Sequence, residues 1–329
     1  MRKKCFIGFD GYRDEIYRLI KCRTKEGYEF WDKMEDLGSY LQNNCGKSSD
    51  IELMPAAAGI GGNGPLMAGA IASLGIQTTC MGLFDDCRDL MENLNHKVNC
   101  LSIGRSNRCT ALEFSNGKLM LGQLESMKLD CDNFKNRFNQ EEVIHIWREC
   151  SLIGIVNWSA FLYMNDILAF LEPFLMKQEM PQLLFFDLAD LTARSREDIL
   201  ELVSLLKRFG KRKQVILGLN NKEAEIFVQQ YMNVEVKGEQ AGKILAAELR
   251  DCLIVIHGIE GARCYWKQEQ VVEKTQKVEQ PKILTGVGDH FNAGFCCGMI
   301  NKLGIRDSLR LGNKAAEYYV RYGRNMEEI

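Results

Sequence analysis

From residue 51 onward, short apolar runs alternate with stretches whose apolar positions recur every three or four residues. That alternation is the signature of buried strands joined by amphipathic helices. The runs predict strands over 77–84, 151–157, 182–188, 214–219 and 253–257. Ile199, Leu202, Val203 and Leu206 share one helical face and predict a helix over 196–209, with another over 242–249. Such a chain builds an α/β fold, a central mostly parallel sheet flanked by helices.

Two stretches break the rhythm. Residues 11–50 are polar and rich in aromatics, and 108–123 reads as two strands of mixed alternation joined by Asn116-Gly117, a hairpin turn signal. The expectation is a single α/β domain over 1–329 carrying a small β-rich lid, built from segments near 11–50 and 99–125. No internal repeat or low-complexity linker marks a second domain.

Composition narrows the function. With 329 residues and 46% hydrophobic content the chain can bury a full core. Lys and Arg number 42 against 44 Asp and Glu, a net charge of -2, so neither nucleic acid nor a membrane surface is an expected partner. The thirteen cysteines form no CxxC pair and read as reduced core thiols of a cytoplasmic protein. His96, His145, His257 and His290 form no HxH or HExxH array, so no protein-bound transition metal is expected. The apolar run 5–9 is cut short by Asp10, unlike a signal peptide, and no run is long enough to span a membrane.

Two glycine-rich turns carry candidate chemistry. Gly59, Gly61 and Gly64 satisfy GxGxxG, and Asp85 or Asp86 closes the next strand, where a ribose-binding acid would stand. A nicotinamide-dependent oxidoreductase is therefore one reading, although Pro65 removes a backbone donor from that helix start. The second turn, Thr285-Gly286-Val287-Gly288-Asp289, leads into His290-Phe291-Asn292-Ala293-Gly294-Phe295. Its glycines let successive amides converge at a helix N-terminus, which favours an anion. Asp289 at the same terminus could cap the helix or accept a proton from an attacking hydroxyl. A third element, Asn220-Asn221-Lys222-Glu223, follows a strand and could start a helix or order magnesium-bound water.

Taken together, these elements resemble the PfkB, or ribokinase-like, family of sugar and nucleoside kinases over nearly the whole chain. The run from Thr285 to Phe295 is similar to that family's C-terminal signature. The resemblance implies that Asp289 is the catalytic base and that Gly286, Val287 and Gly288 form an anion hole. It makes Asn220 and Glu223 an NxxE motif that orders Mg2+ and phosphate, and puts Gly258, Gly261 and Asn313 near the nucleotide. It sets the N-terminal glycine pair on Gly61-Gly62 and makes Asp10 or Asp14 the partner of sugar hydroxyls. There are departures: Leu66 stands where the family's GGxxxN asparagine falls, with Asn63 nearby. Ile283-Leu284 replaces Asp-Thr, and Arg13 occupies the usual position of the sugar-binding Asp, one residue before Asp14.

The resulting expectation is an ATP-dependent kinase acting on a hydroxyl of a sugar or sugar-like acceptor. Asp10, Asp14 and Asn63 are its hydroxyl partners, Arg108 the anchor for a phosphate or carboxylate already on the substrate, and Asn157 a further lining residue. A non-catalytic nucleotide or sugar sensor is the other alternative. Exposed lid strands could pair two subunits into a homodimer, as in some relatives.

Overall fold

The computed structural model describes residues 3–91, 98–267 and 269–327. Its strands are β1 (Lys4–Gly8), β2 (Tyr12–Thr24), β3 (Gly27–Phe30), β4 (Glu52–Gly61), β5 (Gln77–Leu83), β6 (Val98–Gly104), β7 (Asn107–Phe114), β8 (Gly117–Gln123), β9 (Leu152–Ile155), β10 (Leu183–Asp187), β11 (Gln214–Asn220), β12 (Cys252–Gly258), β13 (Gly261–Trp266) and β14 (Glu269–Lys274). Nine form one sheet in the order β14-β13-β12-β11-β10-β9-β1-β5-β6. From β6 through β12 the neighbours run parallel, and β13 and β14 continue the sheet antiparallel.

β1 is an interior strand and shows why both faces are apolar. Successive side chains of a strand point to opposite faces, so Phe6 joins a core with Trp147, Leu168, Leu202 and Phe227, while Cys5 and Ile7 join Met67, Ile71, Phe291 and Phe295. On the second face the helices Val287–Ile300 and Ile305–Tyr322 pack very closely. A Cβ at Gly294 would stand 2.6 Å from the Leu311 carbonyl oxygen.

The small sheet is built around β2, which pairs antiparallel with β3 and β4 and parallel with β7, itself hairpinned to β8. The expected hairpin is present, with Gly117 opening its second strand. Two expectations about the lid need correction. Residues 99–104 belong to β6, the parallel edge of the large sheet, and β4 extends the lid beyond residue 50. β4 contains Pro55 and three exposed alanines, so it lacks the β-branched alternation that marks a strand. The five strands predicted in the large sheet all form, and the helix expected over 242–249 starts earlier, at Glu239. All thirteen cysteines are free and most are buried. Among the described residues no helix is long and apolar enough to cross a membrane, and no group of three or more His, Cys, Asp or Glu could hold a metal. His96 lies outside the described residues.

Candidate active site

In open parallel sheets, ligands gather beyond the carboxyl ends of the strands. Here those ends deliver Asp10 after β1, Asn157 after β9, Asp187 from β10, Asn220 from β11 and His257 from β12.

Asp10 is fully buried. Its carboxylate accepts the backbone amides of Asn63 and Gly64 at 2.9 and 2.7 Å and the side-chain amide of Asn157 at 2.7 Å. Burial pushes its pKa up to about 6 even though these bonds favour the ionised form. Glycines are required beside it, since a Cβ at Gly62 or Gly64 would fall 2.8 or 2.7 Å from a carboxylate oxygen of Asp10. Gly62 also has φ +105, a conformation other residues resist. On β2 the next carboxylate, Asp14, lies against Gly61, where an added Cβ would stand 2.0 Å away. Burial, and then the charge of Asp10, raise Asp14 to about 6, with Lys118 acting in the opposite direction.

β2 also explains why Arg108 is not part of this group. Arg13 pairs with Arg108 in the parallel register and Asp14 with Cys109. Alternation therefore turns both arginines away from the face that presents Asp14. Arg13 binds Asp89 at 3.0 Å and Arg108 reaches Asp86 at 3.4 Å. The expected anchor for a substrate anion is thus directed elsewhere, and Asp14, not Arg13, faces the site.

Across from Asp10, Asp289 stands in the first turn of the helix Val287–Ile300, 8% exposed. Burial raises its pKa well above the ordinary carboxylate value, and Asp187, Asp10 and Glu223 add to that; a hydrogen bond from Asn63 opposes it. Gly286 is the N-cap, with φ 80. The amides of Val287, Gly288 and Asp289 come before the first intrahelical bond, that of His290 to Gly286, and so have no partner within the helix.

Asp187 binds these parts together. It accepts Asn292 Nδ2 at 2.8 Å, the Ala189 amide at 3.0 Å and Asn63 Nδ2 at 3.4 Å. Asn63 thereby touches both Asp187 and Asp289, and its own amide caps Asp10. Burial lifts Asp187 to about 6. Asp187 and Asn292 are functional candidates that sequence reasoning missed. Their signal was a carboxylate closing an apolar strand at its C-terminal end, as Asp10 does after β1.

On the other side of Gly288 opens a groove of about 890 Å3 lined by Asn220, His257, Gly258, Gly261, Val287, Phe291 and Asn313, among others. Asn220 and Glu223 form a reciprocal cap at the helix Asn221–Met232, with bonds of 2.8 and 2.9 Å. Asn220 lines the groove while its side chain completes this cap. Burial, then Asp187, raises Glu223 to about 8. Gly258 approaches Asn221 so closely that a Cβ would meet its Nδ2 at 2.3 Å, and Asn313 donates to the Glu273 carbonyl at 3.0 Å. His257, also missed from sequence, packs on Phe291 at 4.9 Å, and burial lowers its pKa to about 4.

The dinucleotide reading of Gly59–Gly64 fails on this geometry. The amides of Asn63 and Gly64, which would have to cradle a pyrophosphate, are occupied by Asp10. What remains is one enclosed acid beside open amides, with a polar, acidic recess on one side and a long groove on the other.

Comparison with known proteins bears on the fold and the family. The curated ketohexokinase of Haloferax volcanii is 24% identical over 331 residues, covering 97% of this chain and 87% of that protein. The structure of Arabidopsis thaliana ribokinase complexed with ribose and ATP superimposes with a TM-score of 0.69 at 16% identity, covering 100% of this chain and 96% of that one. Adenosine kinase from Sinorhizobium meliloti gives 0.68 at 18% identity, covering 98% and 94%. These structures share the fold, a parallel sheet flanked by helices. The family described as prokaryotic ketohexokinase matches residues 2–328, and the chain therefore belongs to that family of PfkB-type carbohydrate kinases.

Proposed function

We propose that the protein transfers the γ-phosphoryl group of MgATP to a hydroxyl of an unphosphorylated ketohexose. The observation that carries this reading is the position of Asp289: a buried carboxyl in the first turn of a helix whose leading amides are open, between the Asp10–Asp14 recess and the groove beside Gly288. Phosphoryl transfer needs in-line positioning and neutralisation of spreading charge more than covalent chemistry. The amides of Val287, Gly288 and Asp289 would stabilise the migrating group. Asp289, its proton affinity raised by burial, would accept the proton of the attacking hydroxyl. Asp10, Asp14 and Asn157 would orient the sugar, and Gly258, Gly261 and Asn313 would line the nucleotide side.

Asn220 and Glu223 suit a hydrated magnesium ion, because Asn220 lines the groove and the carboxylates of Glu223 and Asp187 are met by amide donors and by no basic side chain among the described residues. When bound, that ion would neutralise charge on the phosphates. The ketohexose assignment follows the Haloferax volcanii relative, which is described as a ketohexokinase. The recess itself favours an uncharged acceptor: Asp10, Asp14, Asp187 and Asp289 gather there while Arg108 faces away. An ADP-release screen over ketohexoses, aldoses, sugar phosphates, polyols and nucleosides tests this. Turnover with a free ketohexose is expected, and a strong preference for a sugar phosphate overturns the acceptor assignment.

The lid is also the proposed homodimer surface. Ala56, Ala57 and Ala58 of β4 and Leu119, Met120 and Leu121 of β8 are exposed. Sedimentation at micromolar concentration should give twice the chain mass; a monomer throughout removes this part.

A further inference from the structure

His290 follows Asp289 in the helix, yet its ring is turned back, 99% buried, against the start of that helix. Nδ1 lies 2.7 Å from the Gly286 carbonyl oxygen, which also accepts the His290 backbone amide at 3.2 Å. A carbonyl can only accept, so Nδ1 carries the proton and donates. With Nδ1 protonated, Nε2 of the neutral ring can only accept, so the Asn325 side-chain amide, 2.8 Å away, turns its nitrogen to Nε2 and its oxygen to the Ser73 hydroxyl at 3.3 Å. The Tyr319 ring stacks on the imidazole at 3.4 Å and 12°. Every edge of the imidazole that can hydrogen-bond is engaged, and one of its faces is covered.

The oxygen held by this ring belongs to the peptide that carries the Val287 N–H. In a planar trans peptide the C=O and the N–H point in opposite directions, so fixing one fixes the other. Gly286 has φ 80 and no Cβ, and a glycine there leaves the peptide unusually free to rotate. A clamp on the carbonyl side therefore decides whether the amide aims into the space before Asp289. From this geometry we infer that His290 is a positioning residue of the phosphoryl-transfer site: by holding the Gly286 carbonyl, with Asn325 bracing its far nitrogen, it aims the Val287 amide at the migrating group. This rests on the anion-pocket reading above and adds to it a role for a side chain that touches neither substrate nor nucleotide.

The test compares two substitutions of nearly equal shape. Threonine in a helix returns its hydroxyl to the carbonyl four residues earlier, so His290→Thr restores a donor to Gly286, whereas His290→Val cannot. A misaimed amide should cost less than a deleted oxyanion donor, so kcat of His290→Val is expected about tenfold below that of His290→Thr. KM for MgATP and Tm should match between the two. A purely structural role moves Tm and kcat together and gives no such split. Asn325→Ala, which leaves the ring in place, keeps the test open if both variants fail to fold: a severalfold drop in kcat with unchanged Tm is expected, and unchanged kcat overturns the inference. Equal kcat in the Thr and Val pair also overturns it. Gly288→Val separates the two layers: if it abolishes turnover while the pair is equal, only the part of His290 falls, and if it keeps full turnover the anion pocket falls as well.

Discussion

Asp10 Oδ1 accepts the backbone amide of Gly64 at 2.7 Å, although 54 positions separate the two residues. An acid just past the first strand is thereby locked onto the turn that opens the helix Asn63–Ser73, and the room between them holds no Cβ. Gly64→Ala would put a methyl group 2.7 Å from that oxygen. We expect it to lower stability by about 1–3 kcal/mol, the range for a strained contact that also breaks a buried hydrogen bond. Chemical denaturation measures the loss, and acceptor KM should rise in parallel while MgATP affinity holds.

Asp289→Asn keeps the shape of the side chain and removes its basicity. Loss of a positioned general base costs about 10² to 10⁴ in rate, so turnover on the true acceptor should fall by that order. Calorimetry should still detect MgATP binding. Near-normal turnover would sink the role given to Asp289.

The acidic recess has a pH signature. Asp14 is raised by burial from 3.8 in the unfolded chain to about 6 in the fold. Its contribution to stability is whole below the unfolded value and is lost as pH rises through the folded one, because the native state then surrenders a proton it holds more tightly. Asp14→Asn removes that loss. Its Tm should exceed that of the parent by a few degrees at pH 8, from about 1–2 kcal/mol, with the advantage gone at pH 4. A difference independent of pH would contradict the assignment. Acceptor KM should rise at both ends of the range.

A ligand that binds only the folded state raises Tm with its occupancy. MgATP at about 100 times its Kd should stabilise the protein by about 2.7 kcal/mol, several degrees in a thermal-shift assay. NAD should leave Tm unchanged, because the amides at Asn63 and Gly64 are already taken by Asp10. A comparable shift with NAD would reopen the dinucleotide reading.

What could be read from the sequence was local. The buried strands β9 to β12 and the run from Thr285 to Phe295 announce themselves by contiguous apolar residues or by glycines at a helix start, and both stand where expected. Contacts across long stretches of chain left no such trace. Asn157 meets Asp10 over 147 positions and Asn292 meets Asp187 over 105, and neither pairing alters the pattern around its partners. Arg108 shows the converse failure: its charge suggested an anion site, but the parallel register with Arg13 decides its direction. His290 read as an unremarkable position inside a glycine motif, because one of its two ring partners, Asn325, lies 35 residues later.

The small sheet leaves the large one between β1 and β2, immediately past Asp10, and its strand β4 ends at Gly61, immediately before the amides that Asp10 holds. Two of the lid's four connections to the rest of the chain therefore meet at a single carboxylate, the other two being the entry from β6 to β7 and the exit after β8. If Asp10 holds the acceptor as proposed, a swing of the lid about this joint would strain or relax that hold, and a substitution there would change lid movement and acceptor affinity together.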